Sequence, residues 1–323
     1  MKTHALAEGA LLAALAVTLG LASWYIPIFA FLFFFIPVPA VVLALRQGIK
    51  TALLASVAAT LLLVILTGLY NGLLTGGYLL LSGCGLGAAY YKRQSGFVRM
   101  CTAYITSFAV LFLGIVLLQV LTGENLVASF STTLDTVSAQ MVDMYKNVGM
   151  FGTEEISRIE AEIENAVASI KMSLPSAFLI SPFVLGWINV RIADWIIRRL
   201  KLSGQAPLSP LADWQVPRSA RFVIFLSVFI LLIAQWTGMA DRSPVVVATV
   251  MNLVYAVFFV MGLALMFWLL RDRWRKPGVG WKVLVMAVCL LLPIASQVLM
   301  MAGMVDIIFG FRRRADMNNG DKS

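Results

Sequence analysis

Apolar residues gather along the chain into long runs near 5–23, 26–45, 49–70, 73–91, 98–121, 174–197, 219–239, 244–270 and 282–308. Each run has the length of about 20 residues that an α-helix needs to cross a hydrocarbon core of about 30 Å. The pattern predicts an all-α fold, a polytopic membrane helix bundle. Pro293 splits the last run, so 282–308 reads either as a ninth crossing or as a broken hairpin, giving eight or nine spans.

The stretch 124–171 interrupts the series with a different period. Leu126, Phe130, Leu134, Val137, Met141, Tyr145 and Val148 fall at steps of three and four, as do Ile156, Ile159, Ile163, Val167 and Ile170. Both halves read as amphipathic helices. Gly149 and Gly152 mark the join, and Thr153 reads as the N-cap of the second helix, with Glu154 and Glu155 in its first turn. The patterning divides the chain into a five-span N-terminal membrane bundle (1–123), a helical hairpin (124–171), a sixth span with a basic loop (172–217) and C-terminal membrane segments with a basic tail (218–323). The hairpin's apolar stripes either cover each other or form a lid or docking arm.

The second run carries two prolines where a bilayer offers its backbone no replacement hydrogen bonds. Pro37 and Pro39 read as a broken span in which a short helix ends at Arg46 and Gly48 turns the chain into the third run; a kink packed against neighbours reads nearly as well. Carbonyls near Phe33 and Phe35 are expected to lose their helical donors.

Charge then orients the bundle. Sixteen of the 25 basic residues, including Arg46, Lys92, Arg93, Arg99, Arg191, Arg198, Arg199, Arg218, Arg221, Arg271 and Lys282, fall in alternate loops. Those loops, and the N-terminus with them, read as cytoplasmic. The hairpin holds eight of the sixteen acids and reads as extracytoplasmic. Arg312, Arg313 and Arg314 read as a cytoplasmic flank, in tension with nine crossings. A mean hydropathy of +0.89 and 13% charged residues agree with a protein solvated by the lipid bilayer. The net charge of +9 is explained by topology and lipid contact, without a nucleic-acid partner.

Small residues supply candidate helix-packing or partner contacts. Ala10, Ala14, Thr18 and Ala22 recur every four positions on the first run, as do Gly68, Gly72 and Gly76 around the third and fourth. Such stripes allow close backbone approach, either inside the bundle or against a separate subunit. Chemistry-bearing constellations are sparse. His4 is the single histidine, and Cys84, Cys101 and Cys289 share no metal-like spacing, so neither a metal site nor a disulfide is expected. No hydrolase, metalloprotease or nucleotide-binding motif lies in a suitable context. The expectation is a non-enzymatic protein with no catalytic residues and no cofactor. The polar residues within spans are Glu8, Gln119, Asn189, Gln235, Asn252, Gln297 and Asp306, with Glu8 and Asp306 near span ends within reach of water.

The blocks LAEGALLAALAVTLGLASWYIP, PVPAVVLALRQGIKTALLASVA, LADWQVPRSARF and MGLALMFWLLRDRW together resemble the YybS family of predicted bacterial membrane proteins, over nearly the whole chain. The resemblance implies a multi-pass protein of the bacterial cell membrane. The first six spans also resemble the substrate-binding S component of energy-coupling factor (ECF) transporters and, more distantly, the cell-shape protein MreD. The S-component likeness implies that Ala10 and Ala14 pack on a transmembrane energy-coupling subunit. It also implies capture of a small-molecule substrate in a pocket near Trp24, Tyr25, Tyr70 and Asn71, residues that otherwise read as an interfacial aromatic belt. The MreD likeness implies a scaffold that binds other membrane proteins. The chain departs from a typical S component in its three further apolar runs and its inserted hairpin.

Overall fold

The computed structural model describes residues 3–148, 152–202, 206–238, 242–273 and 293–312. The first half of the 282–308 run, Cys289, Arg313 and Arg314 lie outside these residues, as does Gly149. Among the described residues the fold is all α-helical, with eight helices long and apolar enough to cross a membrane and a shorter apolar helix at Ile294–Phe309. The chain packs as two compact units. Unit 1 comprises Met1–Lys171 and Phe178–Leu208, and unit 2 comprises Met172–Ala177 and Ser209–Ser323.

In unit 1, α1 (Thr3–Tyr25) leads into a 3₁₀ segment (Pro27–Phe35) and then α2 (Val38–Gln47). The break falls at the two prolines. Pro37 sits at the N-cap of α2 and Pro39 in its first turn, where a missing N–H leaves no helical bond unmade. The expectation for Phe33 needs correcting, because its carbonyl accepts the Ile36 N–H at 3.2 Å through the tighter 3₁₀ ladder. Gly48, at φ +88°, closes α2 and opens α3 (Ile49–Thr67), a backbone conformation that side chains with a Cβ avoid.

The fourth span is segmented. Helix α4 (Leu69–Tyr78) passes through one π-helical stretch (Leu79–Cys84) into α5 (Gly85–Tyr91). Helix α6 (Gly96–Thr122) is capped by the Ser95 hydroxyl on the Val98 N–H. The unit's core is built from Ala16, Ile36, Leu43, Ala44, Ala52, Ala59, Leu63, Tyr78 and Leu79. Small residues on α1, α2 and α3 set the close spacing at which the larger ones interlock.

Helix α7 (Leu126–Val148) and the start of α8 (Thr153–Arg199) form the two arms of the amphipathic segment, joined by ion pairs Lys171–Asp135 at 2.6 Å and Lys146–Glu160 at 3.6 Å. The cap of α8 is Gly152 rather than Thr153: Gly152 is extended, and its N–H donates to the Glu155 carboxylate at 3.4 Å. The second arm does not end at residue 171 either. It continues through Pro175 and Pro182 into the sixth span as one 47-residue helix.

Unit 2 contains a 3₁₀ turn (Leu211–Asp213), α9 (Arg218–Trp236), α10 (Pro244–Arg273) and α11 (Pro293–Phe309). Helices α10 and α11 cross at Gly262 and Gly303, where a Cβ on either residue would collide with the backbone of the other helix, at Leu299 and Phe258 respectively. Asn252 on α10 donates to Ser173 and Ser176, the α8 residues of this unit, at 3.2 and 3.0 Å.

Candidate functional site

The two small-residue stripes have different fates. Gly72 and Gly76 face α3, where a Cβ would run into the Val64 backbone and the Thr60 side chain, and Gly68 (φ +85°) makes the turn between α3 and α4. These glycines pack the inside of unit 1. On α1 the inward positions are Gly9, Ala16, Val17 and Gly20, whereas Ala10, Ala14 and Thr18 are exposed beside Leu11 and Leu15. The stripe on α1 is therefore an outer face.

The aromatic positions at the far end of α1 are engaged in hydrogen bonds. The Trp24 indole N–H donates to Thr75 Oγ1 at 2.7 Å and the Tyr25 hydroxyl to the Leu66 carbonyl at 2.9 Å. Both side chains tie α1 to α3 and α4. Tyr70 and Asn71, half-buried, lie in the first turn of α4. Two clefts among the described residues each enclose about 10 Å³, room for one water. One lies in unit 1 between Ala13, Ala16, Ala40, Leu43, Ser56 and Leu79. Neither approaches the several hundred Å³ of an ordinary small-molecule site.

Polar chemistry sits elsewhere, in places that hydropathy does not reveal. In the core of unit 1 the Tyr78 hydroxyl donates to Asn189 Oδ1 at 2.7 Å, and the Phe33 ring stacks on Tyr78 at 4.6 Å between centroids and 7° between planes. Asn189 Nδ2, Ser82 Oγ, Ser107 Oγ and Trp187 Nε1 are buried and have no hydrogen-bond partner among the described residues. Glu8 does not face water alone, because Arg46 and Gln47 at the end of α2 bind its two carboxylate oxygens at 2.7 and 2.6 Å.

Two charged pairs are buried, and each corrects a reading of the sequence. Arg99, assigned to a solvated basic flank, is 3% exposed. Its Nη1 donates to Asp194 Oδ1 at 3.0 Å and its Nη2 to the Ala206 carbonyl at 2.6 Å, and its guanidinium lies 4.8 Å from the Tyr90 ring centre. Asp194 also accepts from the Tyr90 hydroxyl at 2.6 Å and, through Oδ2, from the Leu208 N–H at 2.7 Å. Leaving any of these groups alone in the core would cost several kcal/mol. The network fastens the 206–208 segment to the ends of α5, α6 and α8.

In unit 2, Asp306, which reads as within reach of water, is buried, and so is Arg312. Arg312 Nε and Nη2 both reach Asp306 Oδ2, at 2.9 and 2.6 Å, and Nη1 donates to the Ala212 carbonyl at 3.0 Å. Asp306 Oδ1 has no partner among the described residues. Asp306 lines the second cleft, together with Gln215, Val216, Arg221, Met261, Gly310 and Arg312. Arg221, at the start of α9, gives its Nε to the Val216 carbonyl at 3.2 Å and is half-buried. No cluster of three His, Cys, Asp or Glu side chains suited to a metal occurs among the described residues.

These features define a multi-pass, all-helical membrane protein with polar groups held inside its bundles. The family of predicted membrane proteins DUF2232 matches residues 14–307, and the chain belongs to that family. It is also similar to the "Uncharacterized protein YybS" of Bacillus subtilis (strain 168), with 21% identity across 97% of this chain and 99% of the relative. No solved structure matches.

Proposed function

We propose that this protein is a non-enzymatic membrane subunit that works by docking another membrane protein on the outer face of α1. The observation that carries this reading is the contrast between the stripes: the glycines of α4 are consumed by internal packing against α3, while Ala10, Ala14 and Thr18 stay exposed among leucines. In lipid a small-residue face gives nothing by hydrophobicity and gains only by close contact with another helix. A transmembrane energy-coupling subunit, as in ECF transporters, and a scaffold partner both fit that chemistry. With basic residues collected at alternate loops, the N-terminus is read as cytoplasmic and the α7–α8 arms as extracytoplasmic.

Replacing Ala10 and Ala14 together by leucine tests the reading. The variant should remain folded and lose a partner that copurifies with the unaltered protein in mild detergent. Retention of that partner would remove α1 as the docking face.

Solute capture is the second reading, favoured by the unpartnered polar atoms of Asn189, Ser82 and Ser107 in the unit 1 core. In a membrane interior such atoms call for water or a bound polar solute. Capture then requires unit 1 to open, with Phe33 leaving Tyr78, because the cleft observed has room for one water. Single cysteines from Phe31 to Ala40 in a cysteine-free background should react with a water-soluble thiol reagent along one face. A wholly unreactive segment would exclude this route.

A further inference from the structure

The cleft of unit 2 combines three features that do not serve packing. A carboxylate oxygen, Asp306 Oδ1, is left without a donor among the described residues although the residue is only 6% exposed. Arg312 does not neutralise it geometrically, because both of its bonds to this carboxylate go to the other oxygen. Arg221 borders the same cleft and uses only Nε within the protein, leaving its terminal amino groups without an acceptor among the described residues. One wall therefore asks for a hydrogen-bond donor and another offers a cation.

We propose that this cleft binds a phosphodiester head group that carries a hydrogen-bond donor, as the ethanolamine and glycerol phospholipids do. The phosphate pairs with Arg221 at the rim, and the terminal ammonium or hydroxyl reaches inward to Asp306 Oδ1. The enclosed 10 Å³ admits one such heavy atom and no more. A simple dianion is disfavoured, since it would meet the unpaired carboxylate oxygen. The surroundings suit a membrane lipid: Phe309 and Phe311, with rings 5.8 Å apart, and Phe222 are all exposed beside the cleft-lining residues and offer acyl-chain contact. The position also suits one, because Arg221 stands in the first turn of α9 and Asp306 in the last turn of α11, where the apolar helices end.

The test is native mass spectrometry of the full-length protein in mild detergent, supplied in turn with phosphatidylethanolamine, phosphatidylglycerol and phosphatidylcholine. Choline carries the same phosphodiester but no donor. The first two lipids should be retained at least about tenfold better than the third. Arg221→Gln removes the phosphate contact that all three lipids share and should lower the retention of each while keeping their order, whereas Asp306→Asn, which turns an amide donor toward the cleft, should abolish the preference; either variant suffices if the other does not fold by thermal melting. Equal retention of all three lipids, retention of none, as for a lone water in the cleft, unchanged selectivity in folded Asp306→Asn or unchanged retention in folded Arg221→Gln would overturn the proposal. Glycerophosphoethanolamine, which lacks acyl chains, separates the sources: displacement of the lipid at equal concentration assigns the same site to a soluble phosphodiester.

Discussion

The two buried arginine–aspartate pairs are opposites in what they leave over. Around Asp194 both carboxylate oxygens have donors, and the unpaired atom is the Arg99 Nε. Around Asp306 the guanidinium of Arg312 has all three nitrogens engaged, and the unpaired atom is a carboxylate oxygen at a cleft. The first arrangement is closed, with three elements and a connecting segment fastened to one carboxylate. The second leaves an acceptor unsatisfied on a residue that lines a cleft. Burial is nearly the same in the two, so the difference between a fastening and a site lies in the distribution of unused lone pairs and N–H groups.

The largest expected effect comes from breaking the closed pair. Asp194→Ala leaves Arg99 charged and uncompensated in the core and should destabilise unit 1 by about 3–5 kcal/mol, read as a lowered melting temperature or loss of folded protein in detergent. The double change Arg99→Met with Asp194→Leu should recover much of that loss, since no lone charge remains. An unaltered melting temperature in the single variant would break the description of this pair as a fastening.

A smaller effect sharpens the comparison directly. Asparagine neutralises either carboxylate and leaves its buried arginine uncompensated, and at 194 it must also turn its amide N–H groups toward a donor, which adds about 1–3 kcal/mol. At 306 the amide nitrogen can take the Oδ1 position, where no donor stands among the described residues, so that added cost should be absent. Parallel melting of Asp194→Asn and Asp306→Asn measures the gap. Equal losses would mean that the two carboxylates are not differently satisfied. The smallest effect is that of Tyr90→Phe, which deletes one hydrogen bond to Asp194, about 1 kcal/mol, but keeps the ring under Arg99.

Hydropathy located the helices well because a span must be apolar wherever it meets lipid. In the second run the change from 3₁₀ to α helix falls at Pro37, since proline acts on the backbone locally. Asp194, Arg99, Asp306 and Arg312 were misplaced or overlooked for the opposite reason. A charge near a span end has the same local pattern whether it faces water or turns inward, and only a residue distant in sequence, such as Asp194 for Arg99 or Ala212 for Arg312, decides which. The glycines Gly262 and Gly303 lie 41 positions apart on different helices, so their meeting leaves no trace in the spacing along either one. The π-helical stretch at Leu79–Cys84 shows the same blindness: LLLSGC reads as ordinary apolar helix.

Helix α8 has a mechanical consequence. At about 1.5 Å per residue its 47 residues make a rod about 70 Å long, more than twice the thickness of a hydrocarbon core. A displacement applied at the hydrophilic end is transmitted to the membrane end as leverage, with no loop to absorb it. The rod is not equally stiff in all directions. Pro175 and Pro182 each delete one rung of the hydrogen-bond ladder, and seven residues is close to two full turns, so both weakened rungs lie along nearly the same side. Bending is therefore easiest in one plane, and α8 acts as a lever with a preferred direction of flex.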